Sequence, residues 1–192
     1  MTEMNPVSRF FVNLSSGRRS RRRFLWVRKH VSLPAEATCL EIGCGNGDFA
    51  LRFVEGFRPS RLVATDLDPR QIEAARRHLT ERTRTGLPAA LELRVADMLE
   101  LPFPPASLDA TFAFTAIHHA SPHHRDFTKV PVALGEIDRT LKEGGLLVYE
   151  EIVHKERIRG WLTEHGYSVL AMDRRWTRES VIARKGPVAS GP

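Results

Sequence analysis

The sequence predicts one Rossmann-like α/β domain, a mostly parallel sheet of seven strands with helices on both faces and an antiparallel C-terminal hairpin. Three observations predict it. Short apolar runs alternate with stretches of helical spacing. A glycine-rich segment, Gly43-Cys44-Gly45-Asn46-Gly47, directly follows the first run. Two final apolar runs are separated by too few residues for a crossover helix, so they should pair with each other.

The elements can be placed in order. Val7, Phe10, Phe11 and Leu14 lie at helical spacing; residues 17–23 interrupt that pattern, and residues 24–31 resume it as a second, more apolar segment leading to Pro34. Thr38–Ile42 and Arg61–Asp66 read as the first two strands, separated by a helix over residues 48–55. Pro69 suits the first turn of a helix, and residues 71–82 carry Ile72, Ala75 and Leu79 along one side. Leu91–Val95, Leu108–Phe114 and residues 146–151 continue the strands, with helices over 132–141 and 157–165. Gly144-Gly145 is placed to stop the former helix. The hairpin comprises residues 167–172 and 176–183. This divides the chain into a leader or lid (1–33), a binding domain (34–185) and a frayed tail (186–192).

Charge is unevenly spread. The chain of 192 residues carries a net charge of +6. Residues 1–30 hold eight Arg or Lys against Glu3, so the remainder is close to neutral. An anionic membrane surface is the candidate partner of this basic leader, and a solvated arm is the alternative. The near-neutral body lacks the broad basic face of an RNA enzyme, so a nucleic-acid partner is not expected. Cys39 and Cys44 form neither a disulfide framework nor a zinc site, which points to a cytoplasmic location, peripheral at a membrane if the leader binds one.

The loop chemistry is ambiguous on glycines alone. Gly45-Asn46-Gly47-Asp48-Phe49-Ala50 satisfies a nicotinamide-dinucleotide pattern, with Asp66 about 20 residues on as the ribose acid. Glu41 argues against a pyrophosphate ligand, which its carboxylate would repel, and for a cationic one such as S-adenosylmethionine. Asp97, in Ala96-Asp97-Met98 after the third strand, could accept from an adenine amino group. The alternatives remain a ligand-free tight turn, Asp66 as a helix cap (for which Asp68 is better placed), and a solvated Asp97.

With these residues the chain resembles class I S-adenosylmethionine-dependent methyltransferases, in the subgroup of ubiquinone and menaquinone biosynthesis, over roughly residues 37–185. The resemblance implies S-adenosylmethionine as cofactor. It implies that Glu41, Gly43, Cys44 and Gly45 cradle the methionine part, Asp66 binds the ribose, and Leu67 packs on adenine. It also implies that Asp97 and Met98 form the adenine turn, and that backbone near Phe114 and Thr115 faces the cofactor amino group. The acceptor is expected to be a small molecule or lipid-like.

Methyl transfer needs positioning and exclusion of water, and a base only if the acceptor must lose a proton. His118 and His119, past the fourth strand, are the catalytic candidates. His123 and His124 follow, but no carboxylate or cysteine completes a metal set, so no metal is expected. Residues 152–166 leave room for one helix and no lid insertion, which puts a quinone acceptor in doubt and leaves the acceptor side to residues 1–33 and 121–131. The runner-up is a phospholipid methyltransferase held at the membrane by the leader. A cofactor-binding protein without activity is the alternative from another class.

Overall fold

The computed structural model describes residues 6–84 and 86–187, with side chains from residue 17 onward. The chain runs α1 (Pro6–His30), β1 (Thr38–Ile42), α2 (Asp48–Phe57), β2 (Arg61–Asp66), α3 (Pro69–Thr83) and β3 (Leu91–Val95). It continues through β4 (Leu108–Phe114), a short 3-10 turn (Ile117–Ala120), α4 (Val130–Thr140) and β5 (Leu141–Glu151). The last elements are α5 (Lys155–Glu164), β6 (Ser168–Arg174) and β7 (Glu179–Arg184). The seven-stranded sheet has the order β3-β2-β1-β4-β5-β7-β6. Strands β1 to β5 run parallel to one another, and β7 is antiparallel to both β5 and β6. The strand order therefore reverses between β1 and β4, the place where open α/β sheets bind ligands beyond the carboxyl ends of their strands.

Strand alternation assigns each side chain to a face. Cys39, Ala64, Phe112, Phe114, Val148 and Ile182 pack with residues of α1, α2 and α3. Leu40, Ile42, Val63, Ala113, Leu147, Tyr149 and Val181 pack with residues of α4 and α5. Helix α2 anchors the first face with Phe49, Phe53 and Phe57, one residue per turn. Their rings meet strand β4 closely, Phe49 at 4.5 Å from Phe114 and Phe53 at 4.6 Å from Phe112. Such pairs add about 0.5–1.5 kcal/mol each beyond their burial. Helix α3 starts as its residues dictate: Pro69 opens it, and the Asp68 side chain accepts from the Arg70 N–H at 2.9 Å.

Two expectations are corrected. Residues 17–23 do not interrupt the leader, because α1 is one helix from Pro6 to His30. A single glycine costs only about 1 kcal/mol in a helix, and arginine is a good helix former. The helix is also held by packing: Val27 and Val31 are buried, and the Phe24 ring stands edge-on to Phe57 at 6.1 Å. Nor does Gly144-Gly145 end α4, which stops at Thr140 as Leu141 turns extended (ψ 136°). The glycines lie inside β5, where register jumps from Leu108↔Leu141 to Ala110↔Leu146 and Gly144 (φ 74°) donates to the Lys185 carbonyl at 3.0 Å. The side chains of Val7, Phe10, Phe11 and Leu14, and residues 188–192 of the tail, lie outside the described residues. No described helix is long and apolar enough to cross a membrane.

Candidate functional site

The loop after β1 is folded by its own backbone and by β2. The Cys44 N–H reaches the Thr65 carbonyl at 2.8 Å, and the Thr65 hydroxyl reaches the Glu41 carbonyl at 2.9 Å. Asp66, at the end of β2, accepts from the Gly45 N–H at 3.2 Å through one oxygen and from the Asp68 N–H at 3.1 Å through the other. Its pKa is raised, burial outweighing those two N–H contacts. Each oxygen retains a lone pair for a further hydroxyl.

The three glycines divide their work. A Cβ on Gly43 would stand 2.8 Å from the Ala116 side chain, and one on Gly47 would stand 2.7 Å from Leu79. Both have positive φ, so they serve the tight strand-to-helix turn and its packing. A Cβ on Gly45 would meet nothing within 4 Å, so this is the glycine whose outer side is open. Cys44 between them is buried.

Glu41 is the anomaly of the loop. Its side chain is only 3% exposed, and Oε2 has no hydrogen-bond partner. Burial pushes its carboxyl up to about 8, against the pull of Arg23. An orphaned acceptor in a low-dielectric cradle is expensive unless something cationic or donating completes it. The residues around it fit S-adenosylmethionine, whose methionine end carries a cation. Past β2 and β3 the surroundings also suit an adenosine group. Leu67 is 45% exposed beside Asp66, and exposed Asp97 accepts from the Leu99 N–H at 2.8 Å, while Met98 packs on the core.

At the end of β4, Phe114 is buried and Thr115 takes a left-handed conformation (φ 57°). The Thr115 hydroxyl donates to the Phe114 carbonyl at 2.5 Å and accepts from Arg23 at 3.1 Å. Arg23 reaches in from α1, lies 5.0 Å from the Phe114 ring centre, and donates to Glu150 at 2.7 Å. Glu150 also receives Arg22 at 3.3 Å, Arg178 at 3.4 Å and the Ser180 hydroxyl at 3.2 Å. Burial alone would raise its pKa; Arg23, then Arg178 and Arg22, outweigh that and hold it below the carboxylate norm.

The next residue faces the opposite way. Glu151 Oε2 lies 2.6 Å from His118 Nδ1, and Oε1 accepts from the Ile117 N–H at 2.8 Å. His118 is thus 4% exposed and tied into the α4–α5 face. His119 is exposed and packs on it, ring centres 4.0 Å apart. The His119 pKa is lowered by lost hydration first, then by His118 and His124. The two histidines named in sequence are therefore brought together but differ in access. Among the described residues no three His, Cys, Asp or Glu side chains group as metal ligands.

Sequence reasoning missed Arg23, Glu150, Glu151 and Arg178. The signal was present: Glu150-Glu151 closes an apolar strand where no charge belongs unless partnered, and Arg19, Arg22 and Arg23 share helical spacing.

Comparison with known proteins adds to this geometry. A family described as methyltransferase domain matches residues 40–149. The demethylmenaquinone methyltransferase of Thermus thermophilus is 36% identical over 132 residues, covering 66% of this chain and 53% of that protein. The 24-methylenesterol C-methyltransferase 2 of Oryza sativa subsp. japonica is 30% identical over 135 residues, covering 70% of this chain and 34% of that protein. The chain thus spans about a third to a half of these relatives' length. Among solved structures, a SAM dependent methyltransferase from Aquifex aeolicus superposes with a TM-score of 0.71 at 15% identity, covering 95% of this chain and 100% of that one. The magnesium protoporphyrin IX methyltransferase from Synechocystis PCC 6803 gives 0.71 at 13%, covering 97% and 86%. These two share the fold.

Proposed function

We propose that this chain, which belongs to the methyltransferase domain family matched over residues 40–149, transfers a methyl group from S-adenosylmethionine to a small-molecule or lipid-like acceptor. The observation that carries the reading is the Glu41 carboxylate, buried at the end of β1 with one oxygen unpartnered, next to the open side of Gly45. The donor supplies a methyl carbon already activated on a sulfonium, so the protein's share is to bind, orient and exclude water. In this reading Glu41 neutralises the cationic methionine end and Asp66 accepts from the ribose hydroxyls. Leu67 and Met98 flank the adenine, whose amino group Asp97 accepts. The Phe114–Thr115 backbone, pinned by Arg23, forms the floor under the methionine. Exposed His119 lies on the acceptor side, and buried His118, held by Glu151, is a positioning residue for that wall. Relatives acting on a demethylmenaquinone and a methylenesterol support an apolar or lipid-like acceptor. Calorimetry with S-adenosylhomocysteine and with NADH tests the donor: the first should bind and the second should not. Binding of NADH alone would overturn the reading.

A second reading, a phospholipid acceptor met at an anionic membrane, is favoured by one observation. Arg18, Arg21, Leu25, Arg28 and Lys29 are exposed along α1, with Leu25 46% exposed, a basic stripe with an apolar residue in it. The full chain should then co-sediment with phosphatidylglycerol vesicles, and a variant with Gln at those four basic positions should not. Equal sedimentation of the two removes this stripe as a membrane contact.

A further inference from the structure

Helix α1 also carries charge of a different kind. Arg19, Arg22 and Arg23 turn from it toward the ends of β4, β5 and β7, where Arg178 joins them. Among the described residues, Glu150 is the ionised carboxylate that sits among these guanidinium groups. Burial first, then the charges of Arg23 and Arg178 against that of Glu150, lower the pKa of Arg19. Glu41, which Arg23 also influences, does not offset this charge while it stays protonated. The group is therefore strongly positive and partly desolvated, and like charges so gathered repel until an anion joins them.

The four arginines are not equivalent. Arg23 commits Nε and Nη2 to Glu150 and Thr115, at 2.7 to 3.1 Å, and is 17% exposed. Arg22 and Arg178 touch Glu150 only through long bonds, 3.3 and 3.4 Å, with side chains 40% and 24% exposed. A guanidinium carries five N–H donors in a planar fork that matches a carboxylate or phosphate edge. Arg22 and Arg178 therefore present donors outward, on ground already positive, beside the Thr115 turn that the donor reading places under the methionine part of the cofactor.

We propose that Arg22 and Arg178, backed by Arg19, form the seat for an anionic group, a carboxylate or a phosphate, carried by the methyl acceptor. The acceptor is thereby an acidic molecule: its charge docks at β5–β7 and its remainder extends toward the end of β4. This rests on the methyltransferase reading. Arg22 stands at the edge of the exposed stripe of α1, and its guanidinium turns from there toward Glu150.

Calorimetric titration of the full chain, saturated with S-adenosylhomocysteine, tests it with two probes, inorganic phosphate and octanoate. The intact protein should bind at least one of them. Arg22→Gln and Arg178→Gln should each weaken that binding about tenfold, the loss of a charge-assisted pair, while S-adenosylhomocysteine affinity stays within about twofold. Arg178→Lys keeps the charge beside Glu150 and serves if the Gln variant fails to fold; losing the fork, it should weaken octanoate by about threefold. Neither probe binding to the intact protein, or equal binding to all variants, overturns the proposal. So does a loss of S-adenosylhomocysteine affinity in the Gln variants, which would assign the arginines to the donor's own carboxylate. If the intact chain does not bind S-adenosylhomocysteine, the donor reading fails, and the phosphate and octanoate titrations without it still decide the anion seat.

Discussion

Two buried glutamates stand at the carboxyl ends of β1 and β5 on the same face of the sheet, Glu41 3% and Glu150 1% exposed, in opposite surroundings. Glu150 receives three arginines and a serine, and its pKa is held down. Glu41 has an oxygen with no partner, and its pKa is pushed up to about 8. The difference separates a completed structural charge from an incomplete one. Burial pushes both carboxyls up, and only Glu150 has the partners to reverse it. The satisfied glutamate fastens α1 to the sheet, and the unsatisfied one marks where a cationic ligand completes the fold's electrostatics.

The largest effect that could break this contrast is in pH dependence. The folded pKa of Glu41 lies above the unfolded value of 4.5, so the folded state prefers the protonated form. Its contribution is intact below pH 4.5, shrinks as pH rises because only the unfolded chain ionises, and is fully lost above about 8. Glu41→Gln, which mimics the protonated acid, should match the intact protein at low pH and exceed its stability by roughly 5 kcal/mol above pH 8. Denaturant unfolding of both proteins between pH 4.5 and 8.5 measures this. A constant difference across that range means that Glu41 ionises normally. With the donor bound, the same linkage reverses: binding should release about one proton per site near pH 7, read by calorimetry in buffers of different ionisation enthalpy.

The second break falls on the partner glutamate. Glu150→Gln leaves three arginines around a neutral amide, and removing one member of a buried ion pair costs about 3–5 kcal/mol. Because Arg22 and Arg178 are partly exposed, solvent screens part of that, and a loss of about 2–3 kcal/mol is expected in urea unfolding. The fastening of α1 should loosen first, seen as faster amide exchange in residues 17–30. If Glu150→Gln is neutral while Glu41→Gln destabilises, the contrast is inverted.

A third variant addresses the ribose. Asp66→Ala removes the acceptor of two backbone N–H groups as well as the proposed ribose contact. S-adenosylhomocysteine affinity should fall by about 1–3 kcal/mol, the range for hydrogen bonds to a charged group. Unchanged affinity would mean the ligand lies elsewhere.

The strands and the loop after β1 were legible because their signals are local: apolar runs, a glycine turn, and Asp68-Pro69 at a helix start. Of the site, Glu41 and Asp66 could be read as candidates because they sit beside those glycines or at a strand end. What escaped was long-range. Glu150 and Glu151 are neighbours in sequence, and only the sheet sends one to Arg23, 127 positions away, and the other to His118. The continuity of α1 escaped for the same reason. Gly17 weakens an isolated helix, and burial of Val27 with the pairing of Arg23 to Glu150 holds it together. Gly144-Gly145 misled because a glycine pair after a helix signals a cap, whereas here β7 takes up the freed backbone through Lys185.

The smallest effect is at the adenine end, where the surroundings are exposed and a single contact is screened. Asp97 offers one carboxylate oxygen to the Leu99 N–H, and the other remains for a donor. If that donor is the adenine amino group, the intact protein should prefer S-adenosylhomocysteine over its inosine analogue, in which an oxygen replaces the amino group. The preference should be about 1 kcal/mol, near fivefold, because one exposed hydrogen bond to a charge is at stake. Asp97→Ala should abolish the preference while changing stability by less than about 0.5 kcal/mol, since the residue is on the surface. Parallel titrations of both nucleosides into both proteins give the coupling directly. A preference that survives in Asp97→Ala moves the adenine recognition to the backbone of the 96–98 turn, and the Asp97 side chain is then left with shaping that turn.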